Sequence, residues 1–473
     1  MNARDIPTDL PFDVLLCIME HIDRKSLCAC ARVSHLFHEV ALPSLYKCVS
    51  VFVVRFHNLG IDKLDPDFGP FKTLKKYPHL KPFVKNVEIC LGLNDYVTYR
   101  ERLAPLWATL SELTNITSFS FWPPEDFYYH LPQLLADTIV SALSGCKKLE
   151  DITLLSTISA VSVSRFSRLR SIRSVRFGHL LSNETLNALG TWFGEVEGGF
   201  RSLSIMKAHA VGPMAMRQIV PYLHNLHTLH IGTSHSLSSK DLLALFTYTP
   251  QLRFLDITYY GSNSLSYLEA NEYAILPHLE GIVIRHSGIS QQPAFADLFG
   301  WIKLVIASGP LVSFSMFSDD GRDCECSDLL LAALSKKPAL EILNLPSIPL
   351  RRQEEIVGIF EAFRKLEVLS VFVGSVDVLE FWKSVNPGRI SLSSITTIYL
   401  RTKRIDLPDS YDVLADRVKE AMNALRGTPG HVHLWEKTRQ GLVLALWTAG
   451  AMTDRAGLNL LKDEYPGMYA PFN

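Results

Sequence analysis

The chain has 473 residues, 47% of them hydrophobic and 20% charged, with 47 Lys and Arg against 48 Asp and Glu for a formal net charge of −1. That length exceeds the range of one growing core, and the apolar content excludes extensive disorder, so several domains or a repeat array are expected. The balanced charge gives no basic footprint for nucleic acid, the longest apolar stretch (441–452) is too short to span a bilayer, and the first residues lack the run of a secretory signal. An intracellular protein of the cytoplasm or nucleus is expected, without nucleic acid or membrane as a partner.

Leu10 and Pro11 open a segment in which Val14, Leu15, Ile18 and Ile22 recur at helical spacing, with Pro11 in a first turn that needs no amide hydrogen. Asp23 to Ser26 then supply turn and capping chemistry. Leu27, Cys30, Val33 and Phe37 mark a second apolar stripe that runs through Val40 and Leu42 towards Pro43. Three short helices fit into these roughly forty residues. A unit so small buries little core of its own, so part of its apolar surface should be covered by another chain or by the adjoining domain.

In this order, Leu10, Pro11, Val14, Leu15, Ile18, Met19, Ile22, Leu27, Val33, Ser34, Phe37, Leu42, Pro43, Leu45 and Tyr46 resemble the F-box, particularly as it occurs in fungal F-box proteins, over residues 7–50. Phe37 stands where many members carry tryptophan. The resemblance implies docking into a Skp-type adaptor, and through it to a cullin, by the helix-in-groove mode. It also implies Leu10, Pro11, Leu15, Ile18 and Met19 as the adaptor contacts. A plain helical cap on the next domain is the alternative for this segment.

After a connecting segment (51–83), a strand pattern of three apolar positions recurs with period-two burial. It begins at Val84, Ile116, Leu149, Ile172, Phe200, Leu226, Leu252, Leu279, Leu311, Leu340, Leu366 and Ile395. Successive starts lie 23 to 33 residues apart, the period of the long leucine-rich repeat in which each strand alternates with a helix. Segments such as 241–248 and 354–363 carry apolar residues at helical spacing, and Pro250, Pro277, Pro310 and Pro338 break the helices before the next strand. The asparagine that usually follows the strand in this family is mostly absent, with Ser234 and Tyr260 in its place, so an irregular solenoid over 84–402 is expected. A flat parallel α/β domain shares the same alternation. Beyond it, 411–426 and 434–447 suggest a helical C-terminal cap within 403–473, which covers the last apolar layer. The fold class is therefore α/β, a three-helix F-box followed by an irregular leucine-rich-repeat solenoid and a helical cap.

No phosphate-cradling glycine loop, nucleophile elbow or His-Glu-x-x-His is present in the sequence, and neither an enzyme nor a cofactor is expected. His431 with His433 and Cys324 with Cys326 offer two ligands each where structural zinc needs four, so no metal is expected. The eight cysteines form no disulfide framework and suit a reducing compartment. Strand residues between the buried ones tile the inner surface of such a solenoid. They are polar, mixed in charge and sparsely aromatic, and single out no basic or acidic patch. Trp122, Arg176, His230, Phe254, Asp256, Tyr259, Tyr260 and Tyr399 are the substrate-binding candidates, the aromatic ones as anchors. Together these features imply the substrate-recognition subunit of a cullin-RING ubiquitin ligase. A non-degradative scaffold with the same F-box contact is the binding-class alternative, and a cleft near His433 and Trp435 the enzymatic one.

Overall fold

A computed structural model describes residues 10–54, 69–92, 96–122, 133–180, 182–196, 199–207, 212–233, 237, 239–260, 275–287, 292–318, 327–350, 353–373, 397–402, 431–438 and 441–448. The chain divides into two compact units, 1–226 with 230–236, and 227–229 with 237–473.

The first unit opens with three helices, α1 (Phe12–Glu20), α2 (Arg24–Cys30) and α3 (His35–Tyr46). Capping chemistry sets their starts. The Asp23 carboxylate accepts from the amides of Lys25 and Ser26, and the Ser34 hydroxyl accepts from the amide of Phe37, satisfying donors that have no partner within the helix. α3 runs through Pro43 to Tyr46 instead of ending before the proline. Pro43 withholds only one amide, from the carbonyl of Glu39, and that residue is exposed to water.

Strands follow at once: β1 (Cys48–Val54), β2 (Asn86–Gly92), β3 (Ser118–Trp122), β4 (Asp151–Ile158), β5 (Ser174–Leu180) and β6 (Ser202–Lys207), each pairing in parallel with the next. Helices such as Gln133–Leu143 and Asn183–Glu195 return the chain between strands. In register, Val87, Phe119, Ile152, Val175 and Leu203 form one buried row and Ile89, Phe121, Leu154, Phe177 and Ile205 a second. Every such side chain contributes roughly 1.5–3 kcal/mol through burial, which explains why these positions admit only large apolar residues. Behind them Trp192, fully buried, packs on Phe166, Phe193 and Phe200.

One backbone device repeats along the sheet. The carbonyl of the residue just before each strand accepts two amides from the following repeat: Lys47 from Lys85 and Asn86, Thr117 from Glu150 and Asp151, Glu150 from Arg173 and Ser174, Arg173 from Arg201 and Ser202. It fixes the strand starts in line. Between β4 and β5 the register shifts after Leu154, and Gly178 makes the bulge possible, since a Cβ there would lie 2.4 Å from the carbonyl oxygen of Leu155.

β7 (Thr228–Thr233) has residues in both units. The second unit continues with β8 (Phe254–Tyr260), β9 (Gly281–Ser287), β10 (Ser313–Ser318), β11 (Ile342–Leu350), β12 (Val368–Val373) and β13 (Thr397–Thr402), again parallel in chain order. The carbonyl device recurs at His227, Arg253, Glu280, Val312 and Glu341. Leu255, Ile282, Phe314, Leu343 and Leu369 continue the buried pattern, and Trp301 stacks on Phe246 with ring centroids 5.3 Å apart.

All twelve strands expected from the sequence form, and the structure alters the reading at two ends. The segment 51–83 is no mere connector, because β1 pairs residue for residue with β2 and the helix Pro70–Lys76 follows it. Val49 and Val51 alternate as in every repeat, but Tyr46 occupies the first apolar position and also belongs to α3. At the other end, 434–447 is not helical: β14 (His431–Thr438) pairs in parallel with β13 and antiparallel with β15 (Gly441–Thr448). Val432, Trp435, Val443 and Trp447 enrich the segment in residues that favour strands. The helix expected over 411–426 lies outside the described residues.

Candidate functional site

The first candidate surface belongs to α1. Two apolar stripes run along this helix. Leu15 and Met19, 5% and 1% exposed, turn inward onto Leu27, Val40 and Ala41, with Ile22 and Phe37 at the margin of that core. Leu10 (52% exposed), Pro11, Phe12, Val14 and Ile18 (43%) face outward, and Val33 in the turn after α2 and Leu36 on α3 are exposed as well. The expected contact set therefore divides. Leu10, Pro11 and Ile18 are available to a partner, whereas Leu15 and Met19 are consumed by the domain's own packing. Phe12 and Val14, not singled out in the sequence, complete the outward stripe. Large apolar side chains left in water on so small a unit mark a surface built to be covered.

At the foot of α1, the hydroxyl of Ser26 and then the amides of Ser26 and Lys25 hold the Asp23 carboxyl below the usual carboxylate range. The cap is thereby charged at neutral pH.

The second candidate surface is the outward face of the strands. In the first unit it presents Trp122 and Arg176, both exposed. His230 is half-buried. In the second unit Phe254 is 47% exposed and lies over Gly281 of the neighbouring strand, where a Cβ would come within 2.8 Å of the ring. This is a cross-strand aromatic covering a glycine, so part of the ring is packing and part is free surface. Asp256 pairs with Arg285 on the next strand, and the Arg285 guanidinium lies 5.9 Å from the centroid of the Phe317 ring one strand further on. Arg253 and Glu280 form a forked pair at the strand starts, at 2.6 to 2.9 Å.

Tyr259 does not belong to this surface. It is fully buried, in phase with Leu255 and Ile257 on the inward side of β8. Tyr260 and Tyr399 fall in β8 and β13, with their side chains outside the described residues.

The structure also corrects the absence of a charged patch. Because the strand starts stand in line, Lys147, Arg170, Arg173 and Arg201 are contributed by three successive repeats of the first unit. Arg168 and Arg176 flank them in sequence, and no described carboxylate pairs with any of these six. Glu150 and Asp151 are the acids in the same strand-start segments, and burial raises the Asp151 pKa, opposed by a hydrogen bond with Ser174.

Among the described residues no three His, Cys, Asp or Glu side chains form a group that would hold a metal. No helix among them is long and apolar enough to cross a membrane. His431, His433 and Trp435 lie in β14 with side chains outside the described residues, as are Cys324 and Cys326 altogether.

Comparison with known proteins gives one family match, F-box-like, over residues 8–51. The chain thus carries an F-box-like domain ahead of leucine-rich-type repeats. No curated protein sequence matches it. Among solved structures, it is similar to a chain of the Rad7 and Elc1 complex of yeast (14% identity, covering 78% of this chain and 87% of that one, TM-score 0.45). It is also similar to an internalin of Listeria monocytogenes (13%, 81% and 90%, TM-score 0.34) and to a leucine-rich-repeat protein of Leptospira interrogans (11%, 75% and 72%, TM-score 0.28).

Proposed function

We propose, from the F-box-like domain that precedes these repeats, that the chain is the substrate-recognition subunit of a cullin-RING ubiquitin ligase. Its α1 stripe of Leu10, Pro11, Phe12, Val14 and Ile18 enters the groove of a Skp-type adaptor, and the adaptor links it to a cullin. The outward strand faces hold a protein substrate beside the ubiquitin-conjugating enzyme. The chain itself catalyses nothing in this reading; it raises the local concentration of one protein at another's active centre.

The observation that carries the proposal is the outward apolar stripe on a domain matched as F-box-like, because such anchors at helical spacing are what a helix-in-groove contact uses. The test is affinity capture of the full chain and of a Leu10→Asp, Ile18→Asp variant, probing for adaptor and cullin. Both targets are exposed, so the variant keeps its fold by circular dichroism. Wild type is expected to recover both partners and the variant neither. Recovery of the adaptor without cullin would move the reading to a non-degradative scaffold, and recovery of neither by wild type would leave the helices as a cap on the repeats.

A further inference from the structure

We infer that the basic strip at the starts of β4 to β6 takes an acidic polypeptide segment, a glutamate- or aspartate-rich stretch of a protein partner. The inference rests on the reading of the repeats as a partner-binding surface and specifies the chemistry of that partner.

The register places the cations. The amides of Arg201 and Ser202 donate to the carbonyl of Arg173 at 2.8 and 3.2 Å, so Arg173 and Arg201 stand side by side on adjacent repeats. Arg173 is linked to the repeat before it in the same way, through the carbonyl of Glu150. Arg170 and Lys147 precede the first buried residue of their repeats, Ile172 and Leu149, by the same two positions. Arg176 lies in register with Thr153 and Ser204, outward because Val175 and Phe177 are buried.

A chain crossing these strands meets a new repeat every ~5 Å, and an extended peptide advances ~3.3 Å per residue, so successive or alternate carboxylates find a cation. Among the described residues, Lys147, Arg168, Arg170, Arg173, Arg176 and Arg201 have no carboxylate partner, and Glu150 and Asp151 are the described acids in those segments. Unpaired like charges at this density repel one another, which a surface with no ligand gains nothing by keeping. Arginine's planar fork matches a carboxylate, as it does a phosphate, with two parallel hydrogen bonds.

A nucleic acid fits less well. Among the described side chains, the outward positions of β4 to β6, including Asp151, Thr153, Ser174, Ser202 and Ser204, contain no aromatic ring on which a base could stack.

The test is fluorescence anisotropy with the full chain, a labelled glutamate-rich peptide, its glutamine counterpart of equal length, and a labelled single-stranded RNA. The glutamate peptide is expected to bind and the glutamine peptide not. Binding should weaken several-fold as salt rises into the screening range, and an Arg173→Glu, Arg201→Glu variant should lose at least about tenfold in affinity. Adaptor capture is measured on the same preparations. Retained capture shows that the variant is folded, and failed capture by wild type would sink the F-box reading without touching the peptide result. Equal binding of the two peptides, no binding of either, or tighter binding of RNA through the same arginines would overturn the inference.

Discussion

Ile18 and Met19 are neighbours on α1 with opposite duties, and substituting each by alanine separates docking from folding. Met19 is 1% exposed against Leu15, Leu27, Val40 and Ala41. Truncating it removes the buried thioether arm and leaves a cavity, at a cost of ~2–5 kcal/mol. A unit of some forty residues has little margin, so a loss of that size opens the three helices locally. At about 1.4 kcal/mol per tenfold, amide protection in residues 12–46 should fall by a factor of tens to thousands. Ile18 is 43% exposed, and its truncation should move protection by no more than about 0.5 kcal/mol. Adaptor capture should drop in both variants, for different reasons. Hydrogen exchange read by mass spectrometry on peptides covering 12–46 checks this, with the strands β3 to β5 as internal reference. Equal protection in the two variants, or greater opening in Ile18→Ala, would refute the assignment of the two stripes.

Three further outcomes follow from the packing. Gly232→Ala would set a Cβ 1.7 Å from the Met206 carbonyl oxygen, a clash with backbone, and should destabilise by ~1–3 kcal/mol or more; Gly358→Ala meets nothing within 4 Å inside the helix Gln353–Ala362 and should stabilise by ~0.5–1 kcal/mol. Thermal melting should show shifts of opposite sign, and shifts of the same sign would count against the packing described. Burial pushes the Cys146 thiol up to about 11 from 9.0, so brief alkylation of the native protein at pH 8 should modify the exposed Cys17, Cys28 and Cys48 and spare Cys146. Because the folded-state value is the raised one, the corresponding share of stability is whole below pH 9.0 and is lost as pH climbs through about 11, a trend that a Cys146→Ala variant should lack in alkaline denaturant titrations. Finally, Arg253→Ala breaks a forked pair that is half in water, so urea titration should show a change below ~1 kcal/mol that shrinks further in high salt.

The repeats were legible because burial at the strand positions is nearly complete: a row such as Val87, Phe119, Ile152, Val175 and Leu203 tolerates no polar residue, so the pattern survives irregular helices and loops. Tyr259 was wrongly read as a surface anchor, although it continues the alternation of Leu255 and Ile257 and is buried with them. Other features depend on information a single strand does not hold. α1 carries two apolar stripes, and helical spacing alone does not say that Leu15 and Met19 turn inward while Leu10 and Ile18 turn out. β1 was hidden because Tyr46 serves both the last turn of α3 and the first apolar position of a repeat. The run from Leu442 to Trp447 is apolar at every position, so neither period shows and pairing with β14 decides its form. The basic strip is invisible along the chain for another reason: Arg173 and Arg201 become neighbours only once the strand starts align across repeats.

That alignment also bears on how the two proposed surfaces work together. α3 ends at Tyr46 and β1 begins at Cys48, leaving Lys47 alone between the F-box-like domain and the sheet. The carbonyl of Lys47 accepts the amides of Lys85 and Asn86 at 3.0 and 2.9 Å, the same contact that Thr117, Glu150 and Arg173 make to the repeat after theirs. The F-box-like domain is thus attached as though it were the repeat before the first, through a hydrogen-bonded register and not a flexible linker. A flexible tether would hold a captured protein near the conjugating enzyme at an effective concentration set by linker length. A registered junction instead fixes direction as well as distance, so under the proposed reading the strip on β4 to β6 would present its partner at a set orientation to whatever α1 binds. Such a geometry favours lysines at particular positions on the partner over lysines in general, because orientation, once fixed, selects which of them can reach the reacting centre.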